Sequence, residues 1–371
     1  MSRRAALALG LALALLACSE PAPAPETPEA APTPAAPVGP WRVEVALDAG
    51  VTLNACALGD VDPTRPGPEL VAVGGKGEVF VVWREGEGWG STRALSTGGE
   101  LVQVAVGDVD PTRPGLEIVA VGASRGGEDD GTPGRATLIY RAGDQWQSER
   151  LRDERSLLHA VCPVPGGVLV AGYDQRVALL QRVEGRWRAK DLGELPGPAR
   201  CAVPLPDDPG PAGAAFCCKD GSVVRCVRRG DDYELQPADF RASGRARLSA
   251  ANDHLLVADD DGTLALVPGL APGLPTHVRG QARVEIYRAS SKLRGAVLAD
   301  VDPSVPGLEA CTCSGAGELT VLSHVGGRWE PVEVTQDTAT LHDLCYGPLG
   351  DLGPVLAAAS RGGRLWVARR R

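Results

Sequence analysis

Apolar residues in this chain come in short runs of strand length, and each run is cut off by a turn rich in Gly, Pro or Asp. Residues 53–58 form one apolar run, 59–69 a turn and 70–74 a second run. A third follows at 78–83 after a Gly-rich turn, and a fourth at 89–95 after residues 86–88. Four short strands joined by turns predict one antiparallel sheet. The second run and its hairpin return at 169–176, 215–222, 256–263, 310–318 and 356–364, and Trp146, Trp187, Tyr233 and Trp329 each announce a further fourth strand. No 3.6-residue stripe of helical length stands out after the leader, so almost no helix is expected.

The turn between the first two runs shows how the sheets are related. Gly-Asp-Val-Asp-Pro-Thr-Arg-Pro-Gly-x-Glu fills 59–69 and again 107–117, and Ala-Asp-Val-Asp-Pro-Ser-Val-Pro-Gly-Leu-Glu fills 299–309. A phrase of this length, copied ahead of similar apolar runs, marks a repeat protein whose core forms between neighbouring copies. Six copies are complete. The seventh begins at Leu341 and stops after its third strand at 365–371, while residues 41–47 look like an orphan fourth strand. The prediction is an all-β, seven-bladed β-propeller of four-stranded blades, with the N-terminal strand completing the last blade and removing an exposed edge. Residues 41–371 shared among seven blades give about 47 each, close to the period of propeller repeats.

Ahead of the repeats, Met1-Ser-Arg-Arg4 is a short basic stretch and residues 5–17 are apolar but short for a bilayer. Leu15-Leu16-Ala17-Cys18 resembles the lipobox of bacterial lipoproteins. That resemblance implies a signal peptide at 1–17, a lipid on Cys18 and a bacterial cell-envelope location; Ser19, rather than Asp, after the cysteine points to the outer membrane. Residues 18–40 then read as the lipidated Cys followed by a Pro- and Ala-rich tether, and 41–371 as the propeller domain. The net charge of −9 becomes −11 without Arg3 and Arg4, which disfavours nucleic-acid binding. The expected state is a monomer.

The Asp-Val-Asp-Pro turns resemble the FG-GAP and VCBS repeats of integrin-type propellers, which often chelate calcium between the first two strands of a blade. The resemblance implies calcium ligands at Asp60, Asp62 and Glu69, at Asp108, Asp110 and Glu117, and at Asp300, Asp302 and Glu309. The family's third Asp is replaced by Thr64, Thr112 or Ser304, and the loop is longer. A second reading stays open, in which the Asp side chains satisfy turn amides while Pro and Gly set the dihedrals.

Aligning the starts of the first strands brings Asn54, Val102, His159, Arg200, Arg247, Arg294 and His342 into register. In a propeller these positions surround one mouth of the central channel, opposite the Asp turns. Three guanidinium groups and two imidazoles there would attract a carboxylate or phosphate. The alternative is that they snorkel or pair with nearby acids such as Asp343 or residues 259–261. Asp174, Gln175 and Asp220, in hairpin turns on the same face, are secondary candidates.

Nine cysteines follow Cys18, and several replace Ala or Val of other copies, so buried thiols are expected, with Cys217–Cys226 the pair to test for a disulfide. No Gly-x-Ser-x-Gly elbow, phosphate-binding loop or zinc spacing occurs. The favoured function is a lipid-anchored, non-enzymatic module for a protein or anionic carbohydrate ligand. The alternatives are a lyase on an acidic polysaccharide, with His159 or His342 abstracting a proton, and an outer-membrane assembly scaffold by analogy with the propeller lipoprotein of the barrel-assembly machinery.

Overall fold

Each apolar run becomes a strand, and in six of the sheets the strands pair in chain order. The computed structural model describes residues 40–124, 132–206, 213–268 and 283–371. The leader, Cys18 and the tether to residue 39 lie outside these, as do residues 125–131, most of the long insertion that the sequence places in blade two at 124–135 and counts toward its binding surface. In blade one, β2 (Leu53–Gly59), β3 (Glu69–Gly74), β4 (Glu78–Glu85) and β5 (Gly88–Ser96) form a sheet in that order. Five further sheets repeat the pattern. Their first strands are β6 (Leu101–Gly107), β10 (Leu158–Val164), β14 (Ala199–Leu205), β18 (Ala246–Ala251) and β22 (Leu293–Ala299).

The seventh sheet joins the two ends of the ring. It contains β26 (Leu341–Pro348), β27 (Pro354–Ser360), β28 (Arg364–Arg370) and β1 (Trp41–Asp48), in the order β1-β28-β27-β26. Each first strand packs on the first strand of the next blade, and β26 packs on β2, so the ring is closed. Trp41, directly opposite Arg370, is 2% exposed. Among the described residues the one helical element is a single 3-10 turn at Gly350–Leu352.

The core lies between blades rather than within them. Among the described residues seven apolar clusters occur, one at each junction; Val71 and Val73 of blade one, for example, pack with Leu101 and Ile118 of blade two. A second strand has a blade against each face, so every residue of β3 is buried. Burial of one such Val or Leu contributes roughly 1.5–3 kcal/mol. This explains why these runs are continuously apolar, whereas β5, on the rim, has no buried residue.

The cysteines fill these junctions as free thiols. The Cys217–Cys226 expectation is corrected: the two project to opposite faces of their hairpin. Cys217 packs at the junction of blades four and five, and Cys226 with Cys162 at that of blades three and four. The residue across from Cys217 is Cys201, on the neighbouring strand.

Candidate functional site

In six blades the first strand carries a bulge at the same place. The residues skipped in pairing are Asn54, Val102, His159, Arg200, Arg294 and His342. A bulge re-aims the unpaired side chain out of the sheet's alternation. All six line one cavity of about 570 Å³, to which every blade contributes. The bulges sit at the strand ends opposite the Asp-Val-Asp-Pro turns.

Blade five breaks the pattern. β18 has no bulge, and Arg247 pairs in register with Ala258. The expectation that Arg247 shares the lining is corrected accordingly. Its side chain is buried, Nε donating to the Arg294 carbonyl at 3.2 Å and Nη1 to the Arg200 carbonyl at 2.7 Å. Arg247 therefore ties together the strands that present Arg200 and Arg294.

The sequence reading missed a second tier. The amide just after a second strand donates to a carbonyl just ahead of the first: Tyr173 to Leu157 at 3.0 Å, Lys219 to Pro198 at 2.8 Å and Arg361 to Thr340 at 2.9 Å. Those bonds hold the hairpin tips at the rim, so Tyr173, Lys219 and Arg361 join the lining with Glu100, Arg245 and Thr340. Asp174, Gln175 and Asp220 lie one or two residues too far along and are not in it. Asp220 binds Arg241 at 2.7 Å, and Asp174 accepts the Arg176 amide at 3.3 Å. The available signal was the first residue after each second apolar run.

Within the cavity Arg200 Nη1 donates to His159 Nε2 at 2.7 Å and to the Tyr173 hydroxyl at 2.8 Å. The imidazole and phenol rings stack 5.8 Å apart. Arg294 reaches Asp260 at 3.3 Å. Asn54 donates to Glu100 Oε1 at 2.8 Å and to the Leu101 carbonyl at 2.9 Å, and His342 Nδ1 donates to the Asn54 carbonyl at 2.8 Å. Four buried polar atoms of lining residues have no protein partner: Asn54 Oδ1, His159 Nδ1, Arg200 Nε and Arg294 Nε. Buried polar groups without partners are costly, and these atoms lie beneath the cavity's surface rather than on it.

Charge and burial set the protonation states. Burial, then the guanidinium groups of Arg200 and Arg247, hold His159 well below the ordinary imidazole range. Burial and Arg247 push His342 down to about 3. Burial lowers Arg200 to about 10, which leaves it charged at neutral pH. The seat thus combines neutral imidazoles with cationic Arg200, Lys219, Arg245, Arg294 and Arg361, in a chain whose net charge is −9.

The opposite face holds the Asp-Val-Asp-Pro turns, whose donors do not fit a calcium cage. Glu69 accepts the amides of Val61 at 2.9 Å and Asp62 at 3.2 Å; Glu117 and Glu309 repeat this with Val109 and Asp110 and with Val301 and Asp302. The second Asp takes its own turn and then an arginine from the next blade. Asp62 meets Arg141 at 3.5 Å, Asp110 meets Arg182 at 2.8 Å, and Asp302 meets Arg370 at 3.2 Å. A guanidinium thus stands against each of these carboxylates, while Asp60, Asp108 and Asp300 are exposed. No trio of His, Cys, Asp or Glu able to hold a metal converges among the described residues. Gly67, Gly115 and Gly307 close the loops at φ of 87°, 97° and 118°, where a Cβ would strain the backbone.

The latching arginines also account for Trp146 and Trp187 among the recurring aromatics, and for Trp41, whereas Trp329 stands against His324. Arg141 and Arg182 lie opposite Trp146 and Trp187, with ring centroids 5.6 and 5.1 Å away, and Arg370 faces Trp41 at 5.9 Å across the closure. Each ring holds a guanidinium in line with the preceding blade's Asp.

No family model matches the chain, and no curated protein does. Among solved structures it is similar to the WD40 β-propeller domain of Doa1, with a TM-score of 0.63 and 13% identity over 89% of this chain and 97% of that one. It is also similar to the WD40 repeats of RRP9, with a TM-score of 0.62 and 12% identity over 91% of this chain and 100% of that one. At such identities the likeness speaks for the fold alone, a seven-bladed β-propeller.

Proposed function

We propose that this protein is a non-enzymatic binding module of the bacterial cell envelope, lipid-anchored through Cys18, and that the channel mouth is its seat for an anionic ligand. One observation carries the reading: five cationic side chains line one cavity of an otherwise acidic chain. Guanidinium groups held in place by a rigid ring pair with carboxylate or phosphate at little ordering cost.

Binding is favoured over proton abstraction because of the imidazoles. A general base needs an open lone pair and a pKa near the working pH. Arg200 covers Nε2 of His159, and His342 titrates at about 3. In this reading the Asp-Val-Asp-Pro turns are a variant of the FG-GAP type that has exchanged a cation for an arginine of the next blade.

The test is thermal unfolding of the full chain against a panel of carboxylates, phosphates and their neutral counterparts. Anions should raise the melting temperature by mass action, and Arg294→Gln should reduce the shift. A flat response to every anion would sink the ligand reading. Loss of fatty-acid labelling in Cys18→Ala would support the anchor, and labelling that persists would remove it.

A further inference from the structure

One packing contact recurs around the inner wall of the ring. A residue midway along a first strand faces the first strand of the next blade: Ala57 packs in one cluster with Val104, Ala105 with Val161, and Val297 with Leu344. The register makes the positions equivalent, since Ala57, Ala105, Val297 and Cys345 each stand four places after the start of their strand. Across the ladder from them are Val71, Val119, Cys311 and Ala357. Among the described residues, both members of such a pair are cysteine only where blade seven closes on blade one, with Cys345 on β26 and Cys56 on β2 in the same cluster.

The two thiols face each other across this seam. Cys56 Sγ is 3.7 Å from the carbonyl of Ala357, the ladder partner of Cys345, and 3.9 Å from that of Asp343. The Cys56 amide donates to Asp343 Oδ2 at 3.2 Å, which fixes the two strands against each other. A hydrogen bond with the Cys345 thiol, and then burial, hold Cys56 well above the ordinary thiol range. Cys56 is 4% exposed, whereas Cys345 is half-buried, so a reagent meets Cys345 first. Cys201 and Cys217 also stand close, but both are buried and belong to one hairpin, where a bond would add little to the ladder already present.

We propose that Cys345 and Cys56 form a redox site, oxidised to a disulfide that staples blade seven to blade one at the inner wall of the ring. The Cys345 thiolate attacks one sulfur of a disulfide oxidant of the glutathione class, which leaves a mixed disulfide and releases one glutathione thiolate. The Cys56 thiol then gives up its proton, and its sulfur attacks Cys345 Sγ and expels the second glutathione thiolate. Two protein thiols lose two electrons and two protons, and the oxidant becomes two thiols. The ladder between β1 and β28 already holds this seam at the rim, and the disulfide holds it at the channel. It joins residues near opposite ends of the propeller's sequence, and a cross-link over so long a loop restricts the unfolded chain most. The cell-envelope location proposed above is one in which such a bond persists.

The experiment treats the full chain with oxidised glutathione, traps the remaining thiols by alkylation and maps the cysteines by proteolysis and mass spectrometry. The expected result is a peptide cross-linked between Cys56 and Cys345, formed after a transient glutathione adduct on Cys345. The oxidised chain should melt about 5 °C above the reduced one. Cys345→Ala and Cys56→Val place at the seam the residues that the next junction uses, Ala57 and Val104, and each should abolish both the cross-link and the shift. An adduct on Cys345 that never resolves, or a bond from either cysteine to another partner, would overturn the pairing. A cross-link that leaves the melting temperature unchanged would overturn the staple, as would a shift that survives in Cys345→Ala.

Discussion

Replacing Asp110 by Ala should unlatch blade three from blade two, and the cost can be worked from the contacts. Asp110 is 0% exposed. Its Oδ1 accepts from the Thr112 amide at 3.2 Å and hydroxyl at 2.7 Å, and its Oδ2 from Arg113 and Arg182, each at 2.8 Å. Burial pushes the carboxyl's pKa up, but the bonds from Thr112 and Arg113 and the charge of Arg182 bring it below the usual range. Removing one side of a buried ion pair costs about 3–5 kcal/mol. Arg182 keeps Glu149 at 2.6 Å, which places the expected loss near the lower end, about 3 kcal/mol. Asp108→Ala, at an exposed position of the same turn, should stay within about 0.5 kcal/mol of the parent. The assay is equilibrium urea unfolding followed by tryptophan fluorescence, in which the Asp110 variant shifts the midpoint without changing the slope. If both variants cost the same, or EDTA lowers the parent's midpoint, a bound cation holds the turn and the arginine-latch argument is refuted.

Three further outcomes are expected. Burial raises Glu69 from an ordinary value of 4.5 to about 7, so its native state holds the proton more tightly than the unfolded chain. Its contribution is therefore complete below about 4.5 and is lost as pH rises through about 7, and Glu69→Gln, which keeps the acceptor for Val61 and Asp62, should recover up to ~3 kcal/mol above that pH in urea titrations. Trp41→Ala should cost about 3–5 kcal/mol in the same assay, since it removes a buried ring at the closure and the support under Arg370; a loss below about 1 kcal/mol would mean that β1 is not needed to close the ring. Anion affinity at the mouth should stay level from about pH 6 to about pH 8 and fall toward about 10 as Arg200 deprotonates; a step near pH 6.5 by calorimetry would show that an imidazole is charged in the seat after all.

Sequence alone determined the ring. Copies of one phrase, continuous apolar second strands and a fourth strand displaced to the N-terminus admit one closed arrangement, because an unpaired edge at blade seven would leave β28 exposed. It also located most of the mouth, since Asn54, Val102, His159, Arg200, Arg294 and His342 stand at one repeat position and repeat positions map onto places around the ring. Tertiary structure decided the rest. Only the pairing register shows that β18 lacks the bulge and turns Arg247 onto backbone carbonyls, a shift of one residue that composition does not reveal. Only packing shows that an arginine of the following blade, distant along the chain, reaches the second Asp of each turn. A local pattern can specify where a side chain starts. Which partner it meets depends on neighbouring blades, and those contacts exist only once the ring has closed.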